Sequence, residues 1–358
     1  MVRAGRIHKA GGPVLHLDVD GVVTGVHIIG GVVVQRKLLH RVGVAINELG
    51  LQSAAGGVCG PQGEQNARNG QHGQNKDQVD EKLGMLFHGS SFVRKQLFEF
   101  GQPERCRRIA DAMGKYQGDP CIMNIWVHDG SKDYTTEKYR YREIFKESLD
   151  EIMKEQLPNM KTCLEAKLFG IGLEAFTVGS HDFVAGYCAK NNMMYTLDTG
   201  HYEPTEDVSN AVSALLLFVP ELMLHVSRPM HWDSDHVTLF DDNTRNLFFE
   251  LVRSGQLNRA HIGLDYFDAS IDRIGAYIIG TRATQKALLA AFLEPLDLLR
   301  DYEDSGRLFQ RLALLEEEKT LPLGAVYDYF NFKHGVPVGE EYIPEIERYE
   351  EEVTFKRK

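Results

Sequence analysis

The chain has 358 residues, a length that allows one large barrel or two smaller domains. Hydrophobic residues make up 43% of it and charged residues 25%, so it can form a sizeable core. The formal net charge of −11 argues against a protein that binds nucleic acid. The acidic excess lies in residues 101–358, so a site for cations is expected in that part of the chain.

The cysteines and the N-terminus indicate where the protein works. The basic residues 1–10 are not followed by a clean apolar segment. The longest apolar run, residues 21–34, is interrupted by Thr24 and His27 and is too short to span a bilayer. We therefore predict neither export nor a membrane span. The cysteines are odd in number and show no CxxC spacing, which predicts reduced thiols in a cytoplasmic protein; they are Cys59, Cys106, Cys121, Cys163 and Cys188.

The first third of the chain predicts strands followed by an unstructured segment. Residues 13–34 alternate and are rich in valine, a pattern typical of one or two β-strands with a glycine break. Residues 50–79 are rich in Gly, Gln and Asn and have no hydrophobic period, so we predict a loop or disorder. We accordingly divide the chain into an atypical, partly disordered region over residues 1–100 and a barrel region with C-terminal helices over residues 101–358.

A short motif in the first third allows a different function. Asp18 and Asp20 lie in a DxDG segment that resembles the nucleophile motif of haloacid-dehalogenase-type phosphatases. In that interpretation Asp18 attacks phosphorus and Asp20 works as acid and base. The alternative is a strand followed by a turn, because the motif is short and common and no convincing lysine and paired aspartates follow downstream.

From about residue 94 the chain alternates regularly between helical and strand patterns. Short apolar strands between the helices, the first over residues 121–126, give about five parallel strands and an α/β protein. Pro295 should kink or divide the helix in which it lies. The predicted helices cover residues 105–115 with Ile109 and Met113 inward, 139–155, 205–218 with Thr205 as N-cap, 243–253, 284–302, 307–318 and 324–333.

Four of the predicted strands end in a residue that binds hard metals. Parallel strands with polar side chains at their carboxyl ends are how a (β/α)8 barrel forms an active site, because the βα loops meet at that rim. We therefore predict a (β/α)8 TIM barrel with a helical C-terminal extension, its first strands being uncertain or missing. Residues 162–164 lead into Glu165, 193–197 into Asp198, 222–224 into His225, and 261–264 into Asp265.

The spacing of the ligand-type residues divides them between two ions. The four residues at the strand ends would meet around one ion at the barrel axis, whereas His201, Asp233 and Asp235 lie in the loops beyond and form a second set. Asp233 and Asp235 are two residues apart, so they face the same side of an extended loop. Carboxylates and imidazoles without thiolates suit Mn²⁺, Mg²⁺, Co²⁺ or Zn²⁺.

Simpler interpretations exist for each of these residues taken singly. A histidine at a strand end is more often a hydrogen-bonded core residue, and a lone Asp-Ser-Asp is more often a turn. Lys167, on the same strand face as Glu165, would either polarise a substrate oxygen or pair with Glu165 or Asp198. Trp126 would either wall a sugar pocket or belong to the core, and the core is favoured from the pattern alone.

Longer segments carry a family resemblance from near residue 106 to the C-terminus. They are PCIMNIWVHDGSKD (120–133), LEAKLFGIGLEAFTVGS (164–180), LDTGHYEPTE (197–206), LLLFVPELMLHVSRPMHWDSDHV (215–237), HIGLDYFDASIDRIGAYIIGTR (261–282) and LLEEEKTLP (314–322). With these segments the chain resembles L-rhamnose isomerases of the enterobacterial type, which belong to the xylose-isomerase-like barrel group. The resemblance implies a cytoplasmic, Mn²⁺-dependent homotetramer that interconverts L-rhamnose and L-rhamnulose.

The resemblance also implies a role for each candidate residue. One ion would hold two sugar oxygens, and the other would carry the water that moves a proton between O2 and O1 while hydride shifts from C2 to C1. Lys167 matches a lysine on the substrate oxygen, and Trp126 matches a pocket tryptophan. We predict Lys167 and Asp265 as catalytic residues and Trp126 and Lys167 as substrate-binding residues. The implied ligands of the first ion are Glu165, Asp198, His225 and Asp265, and those of the second ion are His201, Asp233 and Asp235.

Residues 1–100 depart from the family pattern. A His-Cys-Trp-Gln-Gly-Asp-Asp segment, a Leu-His-Ala-Ile strand and a Phe-Asn-Pro segment are expected there, and the sequence contains none of them. Either residues 13–49 supply substitute strands, or a shifted reading frame or mis-assembled gene has joined this N-terminus to the rest. The second hypothesis would leave a non-catalytic barrel remnant.

Overall fold

The computed structural model of the protein describes residues 26–27, 102–126, 134–168, 175–231, 233–268 and 270–357. Within the predicted strand segment it places strand β1 (Val26–His27). The loop predicted over residues 50–79, the motif at Asp18 and Asp20, and the domain boundary near residue 100 lie outside the described residues and stay predictions.

The described residues divide into two compact units. The N-terminal unit ends at Met193, and the C-terminal unit consists of Met194–Lys358 together with β1. In the N-terminal unit, β2 and β3 pair in parallel, from Cys121 opposite Met160 to Ile125 opposite Leu164. Its elements are α1 (Gln102–Gln117), β2 (Cys121–Ile125), α2 (Lys138–Ile152), β3 (Met160–Glu165) and α3 (His181–Asn191).

The apolar face of α2 forms the core of the N-terminal unit, as its helical period predicts. Phe145 and Leu149 of this helix are fully buried, as are Leu164 of β3 and Val184 of α3. The ring of Phe145 stacks on that of Phe183, with centroids 5.0 Å apart. These contacts join two helices and a strand that are separated in the chain.

The buried face of α1 differs from the predicted one. Ile109 and Met113 are only half-buried, whereas Arg107, Ala110 and Gly114 are buried. Gly114 lies so close to the chain ahead of β3 that a Cβ atom there would come 1.7 Å from the carbonyl oxygen of residue 159. The close backbone approach therefore decides which face of α1 turns inward.

The C-terminal unit has four parallel strands in the order β1, β6, β5, β4. Tyr195 of β4 lies opposite Leu222 of β5, and Leu222 lies opposite Ala260 of β6. All residues of β4 and β5 are buried, as expected for strands of a parallel sheet with helices on its faces. The elements are β4 (Met194–Asp198), α4 (Ser209–Leu216), β5 (Leu222–Val226), α5 (Asp242–Arg253), β6 (Ala260–Leu264) and α6 (Arg273–Leu293).

Two helices begin at other residues than predicted. Thr205 is not an N-cap, because α4 begins at Ser209, whose backbone N–H donates to the Asp207 carboxylate at 3.0 Å. Helix α6 starts well before residue 284, because the Asp272 carboxylate accepts the N–H of Gly275 at 2.7 Å and caps the helix there. A side-chain cap thus sets the start of α6, whereas the N-cap residue of α4, Val208, has no such side chain.

The chain ends in a series of helices, and the predicted ones are confirmed. Pro295 divides the predicted helix in two, with α6 on one side and α7 on the other. Arg282 of α6 donates to the carbonyl oxygens of Pro337 and Gly339 and so ties the tail to the unit. The tail consists of α7 (Leu296–Asp304), α8 (Leu308–Glu318), α9 (Leu323–His334), α10 (Ile343–Tyr349) and a π-helical turn (Glu350–Thr354).

The α/β class is confirmed, with parallel strands alternating with helices from β2 to β6. Closure into eight strands stays a prediction, because much of the N-terminal third lies outside the described residues. No helix within the described ranges is both long enough and apolar enough to cross a membrane.

Replacing Arg259 should destabilise the C-terminal unit. Its guanidinium donates to the carbonyl oxygens of Leu216 at 3.0 Å and Pro220 at 2.7 Å, and also to that of Val219. Arg259→Met leaves these acceptors at the end of α4 without their donor, so we expect a loss of about 1–3 kcal/mol in the free energy of unfolding, measured by urea denaturation. Arg348→Met, an exposed control, should leave the free energy of unfolding nearly unchanged, and equal losses would contradict the interpretation.

Candidate metal site

The carboxyl ends of β4, β5 and β6 bring three of the predicted ligands together. Asp198 is the last residue of β4 and lies opposite His225 of β5 in the parallel register. Asp265 follows β6 directly, and its N–H donates to the carbonyl oxygen of Val226 at 3.1 Å. Because parallel strands end at the same edge of a sheet, these side chains point into one small region.

Asp198, His225 and Asp265 form what we call the first cluster. His225 Nδ1 lies 3.1 Å from Asp265 Oδ2 and 3.6 Å from Asp198 Oδ2. One ligand atom from each residue lies within 4.8 Å of those of the others, a separation that one cation could bridge. The two carboxylates differ in access, since the side chain of Asp198 is 3% exposed and that of Asp265 is 18% exposed.

A second cluster adjoins the first one and consists of Asp198, His201 and Asp233. His201 Nε2 lies 3.0 Å from Asp233 Oδ2. Asp198 therefore belongs to both clusters, although its place at a strand end predicted only the first. The shared carboxylate brings the two candidate ion positions close to each other.

Gly200 is a site residue that the sequence analysis missed. Its N–H donates to Asp198 Oδ1 at 2.7 Å, which holds this carboxylate in place. A Cβ atom at Gly200 would lie 2.8 Å from Asp233 Oδ1 and 3.2 Å from Asp198 Oδ1, so only glycine fits between the two carboxylates. The signal was a glycine between Asp198 and His201, two predicted ligands.

Thr199 fastens the end of β4 to that of β5. Its N–H donates to the carbonyl oxygen of His225 at 3.0 Å, and its hydroxyl oxygen accepts the N–H of Ser227 at 2.9 Å. The hydroxyl also donates to the carbonyl oxygen of Ser227 at 3.0 Å. The strand ends that carry Asp198 and His225 are thereby held beyond the last ladder hydrogen bond.

The loop that carries Asp233 and Asp235 is folded, so the predicted extended loop is wrong. Asp235 has a left-handed backbone, with φ at +46°. Ser234 Oγ accepts the N–H of Met230 at 2.8 Å and lies 2.9 Å from His236 Nδ1, which closes the loop on itself. Local hydrogen bonds, rather than strand-like alternation, orient the two aspartates.

The electrostatics of the clusters differ from one carboxyl to the next. Burial by itself would raise the pKa of Asp198, but His201, His225 and the N–H of Gly200 outweigh it and lower the pKa below its ordinary value. Burial raises the pKa of Asp235 to about 7, and the negative charges of Asp233, Asp198 and Asp265 add to this effect. Asp235 therefore lies within electrostatic reach of both clusters.

The N-terminal unit contains the remaining predicted site residues. Glu165 is the buried last residue of β3, and its carboxylate accepts a hydrogen bond from the side-chain amide of Asn124, a polar residue in a buried strand that the sequence analysis passed over. Its assignment to the first ion stays a prediction. Lys167 is 2% exposed, and its ammonium lies 3.9 Å from the ring centroid of Trp126. Trp126 itself is 41% exposed, so the core interpretation favoured by the pattern is wrong.

Carboxylate and imidazole groups gathered at the carboxyl ends of parallel strands place the chain among α/β proteins with a candidate site for a divalent metal ion at that edge. The family model for L-rhamnose isomerase (RhaA) matches residues 75–357, and the chain belongs to that family. The match begins before residue 106, where the sequence resemblance starts, and leaves residues 1–74 outside.

Relatives in this family share much of the matched region. The L-rhamnose isomerase of Bacteroides thetaiotaomicron is 64% identical over 254 residues, which are 71% of this chain and 61% of that protein. Those of Mannheimia succiniciproducens and Pectobacterium atrosepticum are each 47% identical over 274 residues, 76% of this chain and 65% of each protein. The chain therefore spans less than two thirds of the length of these relatives.

Among solved structures, a xylose isomerase-like TIM barrel/4-hydroxyphenylpyruvate dioxygenase fusion protein is 12% identical, with a TM-score of 0.38. The likeness covers 60% of this chain and 33% of that chain. It is too weak to carry an argument about the fold.

A methyl group at Gly200 should disturb both clusters. Gly200→Ala places its Cβ against the carboxylates of Asp198 and Asp233, so one of them must move. We expect Mn²⁺ binding by the chelated chain to weaken about tenfold or more, measured by titration calorimetry. Gly324→Ala, where the added Cβ meets nothing within 4 Å, is the matched control. Equal affinities for the two variants would contradict the role of Gly200.

The raised pKa of Asp235 predicts a pH-dependent stability of the metal-free chain. The folded state holds this proton up to about pH 7, whereas the unfolded chain releases it near the ordinary value of 3.8, so stability is lost as pH rises between these values. Asp235→Asn removes this loss. We expect the free energy of unfolding of the chelated wild type to fall more steeply between pH 5 and pH 7 than that of the variant.

The control for this comparison is Asp297→Asn, because Asp297 is fully exposed. Its unfolding free energy should follow the pH dependence of the wild type. A wild type and an Asp235→Asn variant with parallel pH profiles would show that the carboxyl of Asp235 titrates normally.

Proposed function

We propose that this chain is a metal-dependent aldose–ketose isomerase that interconverts L-rhamnose and L-rhamnulose. The observation that carries the proposal is the pair of adjoining clusters around Asp198, in a chain of the L-rhamnose isomerase family. The proposed substrate is inferred from the relatives, which are named L-rhamnose isomerase.

The donor groups fit divalent cations. They are carboxylate oxygens and imidazole nitrogens, which suit Mn²⁺ and similar ions in sites that remain open to water or substrate. Asp233 Oδ1 is buried and accepts no hydrogen bond from any described residue, so a cation would satisfy it. Neighbouring carboxylates, one of them almost fully buried, are also costly unless a positive charge balances them.

We propose two Mn²⁺ ions per subunit, divided as the sequence predicts. Support from the structure concerns the C-terminal unit, where Asp198, His225 and Asp265 lie together and His201 lies 3.0 Å from Asp233. Asp198 also lies with His201 and Asp233, so its carboxylate could serve both ions. The proposed ligands are Glu165, Asp198, His225 and Asp265 for the first ion, and His201, Asp233 and Asp235 for the second.

The reaction moves a hydride from C2 to C1 and a proton from O2 to O1, and no atom is gained or lost. Bound divalent ions would stabilise the negative charge that develops on the two sugar oxygens. Asp265 is the more exposed carboxylate of the first cluster, which supports its proposed catalytic role. Asp198 and His225 are almost fully buried, so electrostatic interactions between them are screened less than on the surface.

Lys167 is the proposed electrophilic group on the substrate. Its side chain is almost fully buried and its ammonium lies over the ring of Trp126, which limits the motion of the side chain. A fixed ammonium can donate a hydrogen bond to a sugar oxygen as negative charge develops there. The partly exposed ring of Trp126 offers the apolar surface on which a sugar would lie.

We also propose a cytoplasmic homotetramer. The described cysteines Cys106, Cys121, Cys163 and Cys188 are free thiols, which suits a reducing compartment. Large apolar side chains are exposed on the tail helices, and an interface between subunits would cover them; they include Phe309, Leu312, Tyr329 and Phe332.

The test is conversion of L-rhamnose to L-rhamnulose by the purified chain, after chelation and again after addition of Mn²⁺. We expect turnover only with the metal. Lys167→Met should bind Mn²⁺ with unchanged affinity but lose about 10²–10³-fold in kcat, because it removes a donor to the transition state. Lys319→Met, on an exposed helix end, is the control.

A folded chain that binds Mn²⁺ but converts no L-rhamnose would be a non-catalytic member of the family. A phosphatase that depends on Asp18 would instead hydrolyse phosphate esters and lose that activity in Asp18→Asn. Either result would overturn the proposed isomerase.

A further inference from the structure

Tyr266, which follows the predicted ligand Asp265, is anchored more firmly than its neighbours. The side chain is 1% exposed, and its hydroxyl donates to the carbonyl oxygen of Ala276 in α6 at 2.9 Å. Burial raises the pKa of this hydroxyl well above its usual range, so it remains a neutral donor. The reaction proposed above makes no use of Tyr266.

The first turns of α6 are shaped to receive this tyrosine. The rings of Tyr266 and Tyr277 stack with centroids 5.1 Å apart, and the Tyr277 hydroxyl donates to the carbonyl oxygen of Tyr266 at 3.3 Å. A Cβ atom at Gly280 would lie 2.2 Å from the Tyr266 hydroxyl, so the glycine makes room for it. Ala276 and Gly280 are four residues apart and therefore share the helix face that Tyr266 contacts.

Backbone hydrogen bonds on either side of Tyr266 lead to the clusters. The N–H of Asp265 donates to the carbonyl oxygen of Val226 at 3.1 Å, and the N–H of Phe267 donates to that of Asp235 at 3.1 Å. The segment 265–267 is thus held at the end of β5, at α6 and at the loop of the second ligand set. A displacement of Tyr266 would move Asp265 and loosen the loop at Asp235.

We propose that Tyr266 is a positioning residue for divalent-cation binding, an inference that rests on the proposed function. Ligand atoms of Asp265 and Asp198 lie within 4.8 Å of each other, so without a cation the repulsion between the two carboxylates favours outward motion of the segment. The hydroxyl anchor on α6 opposes this motion and keeps the Asp265 carboxylate beside His225. The first cluster is therefore preorganised for the cation by a side chain that does not touch it.

The test compares two tyrosine hydroxyls. Tyr266→Phe keeps the buried ring and removes the contacts of the hydroxyl with the backbone of α6 at Ala276 and Gly280. Tyr327→Phe is the matched control, because the Tyr327 hydroxyl also makes a buried hydrogen bond, to Gln285 Oε1 at 2.6 Å, away from the clusters. Each chelated full-length chain is titrated with Mn²⁺ by calorimetry, and its melting temperature is measured without metal.

Both variants should lose a similar amount of thermal stability, but only Tyr266→Phe should bind Mn²⁺ about tenfold more weakly than the wild type. Equal Mn²⁺ affinities for the two variants would overturn the proposal. They would show that the hydroxyl of Tyr266 contributes to stability in the same way as that of Tyr327 and has no separate effect on cation binding. If Tyr266→Phe does not fold, the Mn²⁺ affinity of Tyr277→Phe is measured instead, because this variant loses the hydrogen bond to the carbonyl oxygen of Tyr266. A wild-type affinity in that variant would overturn the proposal as well.

Failure of the proposed function has a different signature. A wild-type chain that binds Mn²⁺ without converting L-rhamnose fails as an isomerase, while the affinities of the variants still decide the role of Tyr266. If the wild-type chain binds no Mn²⁺, both the proposed cation site and the positioning role of Tyr266 are ruled out.

Discussion

The candidate site depends on the parallel register between β4 and β5, which sets Asp198 opposite His225. Both strands are buried along their whole length, so a shift of one residue would exchange side chains between two differently packed faces and is disfavoured. The same ladder continues to β6 and brings Asp265 to the edge where the other two end. Hydrophobic burial and backbone hydrogen bonds, rather than attraction between the polar groups, therefore assemble the first cluster.

Assembly of the cluster has an electrostatic cost that the surrounding chain only partly offsets. Asp198 is compensated by two imidazoles and the N–H of Gly200, and its pKa falls in spite of burial. Burial of Asp235, together with the neighbouring carboxylates, raises its pKa to about 7. One site thus holds one carboxyl that stays ionised and one that resists ionisation, an imbalance that a bound cation would remove. Thr199, which directly follows β4, and Tyr266, whose hydroxyl bonds to α6, hold the chain segments in place against this repulsion.

Several features could be predicted from the sequence because their causes are local. Apolar runs of strand length, each ending in a ligand-type residue, predicted β4, β5 and β6 and the first cluster within them. Predictions failed where the local structure depends on a single side-chain hydrogen bond or on a contact with a residue far away in the chain. Asp272 caps α6 well before the predicted start, and Ser234 closes the loop that alternation predicts to be extended. The sequence pattern favoured a core position for Trp126, yet its ring is partly exposed and the ammonium of Lys167 lies over it.

By itself the sequence determined the α/β alternation, the order of the ligand-type residues and the family to which the chain belongs, since residue type and spacing along one strand or helix carry that information. Only the tertiary structure decided that Asp198 belongs to both clusters, that Gly200 must lack a side chain, and that Tyr266 is anchored on α6. These are contacts through space between residues on different elements. Their geometry follows from strand register and helix packing, which leave no periodic signature in the chain.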